Sequence, residues 1–90
     1  MYQAVYKVPN GKLLKIFFEL KDDKISEIKI TGDFFLYPEE KITLLEEAIT
    51  GCALKESELK AKLDSAIKNE KLELFGIDTE SIVKAIFLAK

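Results

Sequence analysis

The chain has ninety residues, with 14 lysines against 16 acidic side chains for a net charge of −2, and contains neither arginine nor histidine. Without arginine, the usual reader of phosphates and base edges, a nucleic-acid binder is disfavoured; without histidine the commonest proton-transfer group is missing. A single cysteine rules out an internal disulfide and fits a reducing compartment, and no apolar run approaches the ~20 residues that span a bilayer.

The opening Met1-Tyr2-Gln3-Ala4-Val5-Tyr6-Lys7 lacks the charged-then-apolar layout of a signal peptide. The expectation is therefore one cytoplasmic domain, residues 1–90, with no membrane and no nucleic acid among its partners. A chain of this length buries roughly 60 % of the surface its unfolded form exposes.

Residues 12–20 alternate strictly, with Leu14, Ile16, Phe18 and Leu20 on one face and Leu13, Lys15, Phe17 and Glu19 on the other. Residues 2–8 precede them through Pro9-Asn10-Gly11. A two-residue turn would place Lys7 beside Leu14 and Gln3 beside Phe18 on the inner face. A three-residue loop places Tyr6 opposite Leu14, Ala4 opposite Ile16 and Tyr2 opposite Phe18. Only the second register gives an apolar inner face, because a one-residue slip turns every side chain over. Proline at the first turn position and glycine as a left-handed bulge fit that loop.

A third strand is expected over about 25–31, with Ile28 and Ile30 inward and Glu27, Lys29 and Thr31 outward. Lys21-Asp22-Asp23-Lys24 is the hairpin turn. Ile25 is out of phase, so either it points outward or a bulge lies at Ser26.

Next comes the most unusual stretch, Gly32-Asp33-Phe34-Phe35-Leu36-Tyr37-Pro38-Glu39-Glu40. It lies between a strand pattern and a helix pattern and reads as a connection, yet connections are normally polar. So much apolar surface must fold under the sheet or meet another molecule. Phe34 continues the inner phase of Ile28 and Ile30 and is assigned to the core. Phe35 and Tyr37 are left for contact, with Asp33 holding the loop's shape through nearby backbone N–H groups. The outer sheet face offers a second surface, where Val5, Leu13 and Phe17 interrupt Lys7, Lys15 and Glu19.

Three helices are predicted to follow. The first, about 38–49, starts at Pro38-Glu39-Glu40, aligns Ile42, Leu45, Ala48 and Ile49, and stops at Gly51. The second, about 56–69, aligns Leu59, Leu63, Ala66 and Ile67. The third, about 79–89, has Asp78 as cap, flanked by Ile77 and Ile82 at staple positions. The fold class is α+β: a three-stranded antiparallel β-meander followed by three helices packed on one face.

Self-contained chemistry is scarce. Ser57-Glu58-Leu59-Lys60 has serine–lysine nucleophile spacing but reads first as a helix start with an exposed lysine. Cys52 is a possible sulfur acceptor, though a quietly buried cysteine is the simpler reading. Asp22-Asp23 and Glu39-Glu40 are turn and helix-start residues before they are acid/base pairs. Lys7, Lys12 and Lys15 can gather near the first hairpin into an anion site, against the default of a solvated lysine face.

Tyr6-Lys7-Val8-Pro9-Asn10-Gly11-Lys12 and Ile28-Lys29-Ile30-Thr31-Gly32-Asp33-Phe34-Phe35-Leu36-Tyr37-Pro38-Glu39-Glu40 together resemble the accessory domain of lipoate–protein ligases. The resemblance spans nearly the whole chain. Its most specific part is Gly-Asp-Phe-Phe after a strand; Asn10 departs from the glycine often expected there. In many ligases this domain ends a longer chain, and in some archaea it is a separate small subunit, which a start at Met1 and an end at Lys90 resemble. The family's scaffold is similar to that of iron–sulfur assembly and sulfur-transfer accessory proteins.

The resemblance implies a non-catalytic partner of a large catalytic subunit, together a heterodimer. Such ligases activate lipoate with ATP to lipoyl-adenylate and pass the lipoyl group to a lysine of an acyl-carrier domain. Lipoate, ATP and Mg are used by the complex and none is bound by this chain alone; lipoyl-acceptor domains are reached indirectly. The residues expected at a partner interface or in active-site closure are Gly32, Asp33, Phe35 and Tyr37 on the apolar stretch, with Lys7, Gly11 and Lys12 on the first hairpin. No catalytic residue and no metal ligand is assigned. Two alternatives stay open: a sulfur-transfer or iron–sulfur assembly accessory protein using an exposed Cys52, and a free-standing small-molecule-binding domain with a closed pocket under the sheet.

Overall fold

A computed structural model describes residues 1–9 and 11–89. Asn10 and Lys90 lie outside the described residues, and with them the reading of Asn10 as a glycine-like turn position. Strands β1 (Tyr2–Lys7), β2 (Leu13–Lys21) and β3 (Lys24–Gly32) form an antiparallel sheet in the order β1-β2-β3. Tyr2 pairs with Phe18, Ala4 with Ile16 and Tyr6 with Leu14, the register of the three-residue loop. Leu14, Ile16 and Phe18 are buried while Lys7 and Lys15 stay in water; burying those lysines instead would strand their charges.

The β2–β3 turn has Asp22 at φ 54° and Asp23 at φ 63°. These left-handed angles give the two-residue turn whose twist matches that of the strands. Glu19 then pairs with Glu27 but Leu20 with Ile25, leaving Ser26 as the extra residue. The bulge, rather than an outward Ile25, is therefore the resolution: Ile25 is fully buried. The Ser26 hydroxyl donates to the Glu19 carbonyl at 3.3 Å.

The free edge of β3 is covered from two places. Ile25 N–H donates to the Cys52 carbonyl (2.9 Å) and Gly51 N–H to the Ile25 carbonyl (2.6 Å). Farther along, Ile30 N–H donates to the Glu46 carboxylate at 2.7 Å. At these two points an edge that would invite another strand is blocked from within the chain.

The helices are α1 (Ile42–Ile49), α2 (Glu56–Glu70) and α3 (Thr79–Ala89). The helix expected from Pro38 starts later: Pro38 is extended (φ −70°, ψ 137°), and a 3-10 turn over Glu39–Lys41 intervenes. There Lys41 N–H donates to the Pro38 carbonyl at 3.0 Å. Helix α1 packs on β3, α3 packs on β1 and β2, and α2 closes against α1 and α3. Leu45, Ile49, Leu59, Leu63, Ile82 and Ile86 are fully buried between these layers. Asp78 caps α3, accepting from Ser81 N–H at 2.7 Å and the Ser81 hydroxyl at 2.6 Å. Ile77 and Ile82 are both buried, as a staple requires.

The stretch expected to be a plain connection is a strand. Strand β4 (Phe35–Tyr37) pairs antiparallel with β5 (Glu73–Phe75), which lies between α2 and α3. Three residues are too few to show a period, and the partner lies far along the chain, so neither half announces the other.

Candidate functional site: an aromatic ribbon tied to the first hairpin

In this ribbon Phe35 faces Phe75, Leu36 faces Leu74 and Tyr37 faces Glu73. Directly opposed residues share a face, and alternate residues along a strand share it too. Leu36 and Leu74 turn inward, Leu36 being buried and Leu74 packed against the core. Phe35, Tyr37 and Phe75 turn outward and remain 62 %, 66 % and 52 % exposed. Glu39 and Glu73 line the same open depression of about 590 Å³.

The assignment of Phe34 to the core needs refinement. Phe34 packs on the core but is only partly buried; the deeply buried member of its phase is Leu36. The inward phase of Ile28 and Ile30 does continue through Phe34 and Leu36, with Phe35 and Tyr37 as the outward pair.

Both ends of the ribbon are fastened to the first hairpin, one at the start of β2 and one at the loop before it. At one end Gly32 has φ 148°, and a Cβ there would run into the Leu13 carbonyl; Asp33 N–H donates to that same carbonyl at 3.0 Å. At the other end Lys12 N–H donates to the Gly76 carbonyl at 2.8 Å. A Cβ on Gly11 would collide with that Gly76 oxygen, so glycine is what lets the two segments meet.

The structure therefore brings Gly11, Lys12, Gly32, Asp33, Phe35 and Tyr37 to one end of the molecule. Asp33 is tied there through its backbone N–H, which donates to the Leu13 carbonyl. The lysines do not converge. Lys12 lays its stem along Gly76. Lys7, opposite Leu13, and Lys15, opposite Val5, lie on the outer sheet face.

Cys52 is 5 % exposed, and its Sγ lies 3.8 Å from the Ala48 carbonyl oxygen. Burial pushes the thiol above its ordinary pKa, Glu58 adds to the shift and Lys62 opposes it. This is the opposite of what a sulfur acceptor needs, a reachable thiolate. Lys60 lies 2.9 Å from Asp64; that hydrogen bond raises the lysine pKa and lowers that of the carboxyl. Lys60 is thus held protonated, a poor base for Ser57.

Sequence reasoning missed Phe75, Glu73 and Glu46. Phe75 and Glu73 lie in the unassigned stretch after α2. Glu46 did carry a signal: it stands four residues after Ile42 and three before Ile49, inside the apolar stripe of α1, where a charge calls for a buried partner.

The domain is α+β, with helices over its sheet and the exposed aromatics Phe35, Tyr37 and Phe75 gathered on a ribbon tied at both ends. It has the architecture of an accessory domain. The chain belongs to the lipoate protein ligase C-terminal family, whose model, described as "Bacterial lipoate protein ligase C-terminus", matches residues 1–86. It is similar to lipoate-protein ligase A subunit 2 of Thermoplasma acidophilum, at 28 % identity over 89 residues, covering 96 % of this chain and 87 % of that protein. It is similar as well to a chain in the structure of an archaeal lipoylation system from the same organism, comprising a bi-partite lipoate protein ligase and its E2 lipoyl domain. That match has a TM-score of 0.80 at 27 % identity and covers 96 % of this chain and 93 % of the other. The resemblance read from the first hairpin and the Gly32–Glu40 stretch is thus a true family membership.

Proposed function

We propose that this chain is the accessory subunit of a two-part lipoate–protein ligase, acting with a large catalytic subunit as a heterodimer. The observation that carries this is the family match over residues 1–86, joined to a subunit relative of nearly the same extent. In the reaction, the lipoate carboxylate attacks the α-phosphate of ATP, and lipoyl-adenylate forms as pyrophosphate leaves. Lipoate, ATP and Mg are held by the large subunit, where a lysine amine of the acceptor domain then takes the lipoyl group from the adenylate as AMP leaves. This chain supplies surface: it docks on the large subunit and closes over the active site, keeping water from the hydrolysable adenylate. Its contact residues are Phe35 and Tyr37, with Gly32, Asp33, Gly11 and Lys12 fixing their pose and Lys7 at the adjoining sheet end. The burial of Cys52 removes support for the sulfur-transfer alternative, and the inner sheet face is filled by side chains rather than hollowed into a pocket.

The test is pyrophosphate release from lipoate and ATP. The isolated chain is expected to release none, and its addition to the cognate large subunit to raise the rate. Pyrophosphate formation by this chain alone, or a large subunit indifferent to it, overturns the proposal.

A further inference from the structure

We infer that the outward face of the β4–β5 ribbon, Phe35, Tyr37 and Phe75 with Glu39 and Glu73 at its margin, is the docking platform for the catalytic subunit. We further infer that its counterpart there is an apolar surface bearing lysine or arginine. The inference rests on the function proposed above and adds to it the β5 half of the surface and the chemistry of what covers it.

Three observations carry it. First, single exposed apolar residues are ordinary, but contiguous apolar patches mark interaction sites. Here three large aromatics from two strands share one face, and aromatics dominate interface hot spots. Second, the platform is preorganised. Its inner side is packed through Leu36 and Leu74, and hydrogen bonds to Leu13 and from Lys12 fasten its two ends. Less ordering is then needed on binding. Third, the charge is one-sided: the residues lining the depression include Glu39 and Glu73 and no lysine. A second copy of this chain would bring these acids toward their own likes, which disfavours self-association, whereas a cationic rim complements them.

The experiment measures affinity for the purified cognate catalytic subunit by calorimetry, beside the melting curve and sedimentation of this chain. Phe75→Ala and Phe35→Ala are each expected to weaken binding roughly thirtyfold while melting like the wild type. Glu73→Lys, a change at an exposed position, is expected to weaken binding by an amount that shrinks as salt is added. Wild-type affinity in Phe75→Ala, Phe35→Ala and Glu73→Lys, with the wild type still raising pyrophosphate release, overturns the platform and leaves the function standing. A wild type that neither binds nor stimulates overturns the function, and the platform with it. An isolated chain that sediments as a dimer, and as a monomer once Phe75 is alanine, makes the face a self-contact and overturns the inference.

Discussion

Two cross-strand aromatic pairs sit on two sheets of this small molecule and meet different fates. Tyr2 and Phe18 face each other across β1 and β2, their rings stacked with centroids 5.2 Å apart and 12° between planes; Phe18 is 2 % exposed and Tyr2, at the sheet's rim, 37 %. Phe35 and Phe75 face each other across β4 and β5, and both are more than half exposed. Local pattern does not settle the second pair, since β4 and β5 have three residues each. What separates them is the layer above: helices cover the inner face of the large sheet, and no helix among the described residues covers the outer face of the ribbon. Aromatics under helices hold the fold together, while aromatics on the ribbon are free to bind.

The largest expected effects test that contrast directly. Phe18→Ala should cost about 3–5 kcal/mol in urea denaturation, a large part of the 5–15 kcal/mol typical of a domain. Leu36→Ala, in the middle of β4, should cost about 2–5 kcal/mol. Phe35→Ala, one residue away but outward, should stay within about 0.5 kcal/mol of wild type. The comparison breaks if Phe35→Ala destabilises as much as Leu36→Ala, because the ribbon's outer face would then be part of the core.

Smaller effects sharpen the comparison at the sheet margins. The ribbon is fastened by backbone and glycine contacts, whereas the β3 edge adds to its backbone bonds with Gly51 and Cys52 one buried side chain, Glu46, which accepts from Ile30 N–H at 2.7 Å. Glu46→Ala leaves that N–H without its acceptor and should cost about 1–3 kcal/mol. Glu46→Gln keeps an acceptor oxygen and should lose distinctly less. Equal losses in denaturation midpoint for the two variants would mean that the negative charge matters, rather than packing or the mere presence of an acceptor oxygen.

Much of this was legible in the sequence because the signals were periodic and local. The register of β1 on β2 followed from which face would be apolar, and the three-residue loop decided it. The phase of Ile28 and Ile30 carried through Gly32 and separated Phe35 and Tyr37 from their inward neighbours. The bulge at Ser26 stayed undecided, because an out-of-phase Ile25 satisfies two geometries until the β3 edge bonds to Gly51 and Cys52 are known. The ribbon was hidden for a different reason: each strand has three residues, and what makes them strands is a partner more than thirty positions away. The cluster of Gly11, Gly32 and Gly76 was hidden likewise, since a glycine chosen for a close approach looks like any turn glycine until the approaching backbone is seen. Phe75, half of the proposed platform, fell in that blind region.

Cys52 gives the smallest effect and extends the comparison from stability to reactivity, because it lies on the covered side of the molecule. Its folded-state pKa is raised above the ordinary 9.0, chiefly by burial. A group whose acid form is favoured by folding contributes stability that is fully present below its unfolded pKa and is lost as pH rises through the folded one. The stability of the wild type relative to Cys52→Ala should therefore be constant at neutral pH and decline above about pH 9; the volume lost with the sulfur sets only a constant offset. Alkylation by iodoacetamide should be slow in the folded chain and fast once denatured, and Cys52→Ala should stimulate pyrophosphate release as well as the wild type does. A stability difference that stays flat with pH, together with rapid alkylation of the folded chain, would place the thiol in water. Cys52 would then belong with Phe35 and Phe75 among the groups this domain presents to others.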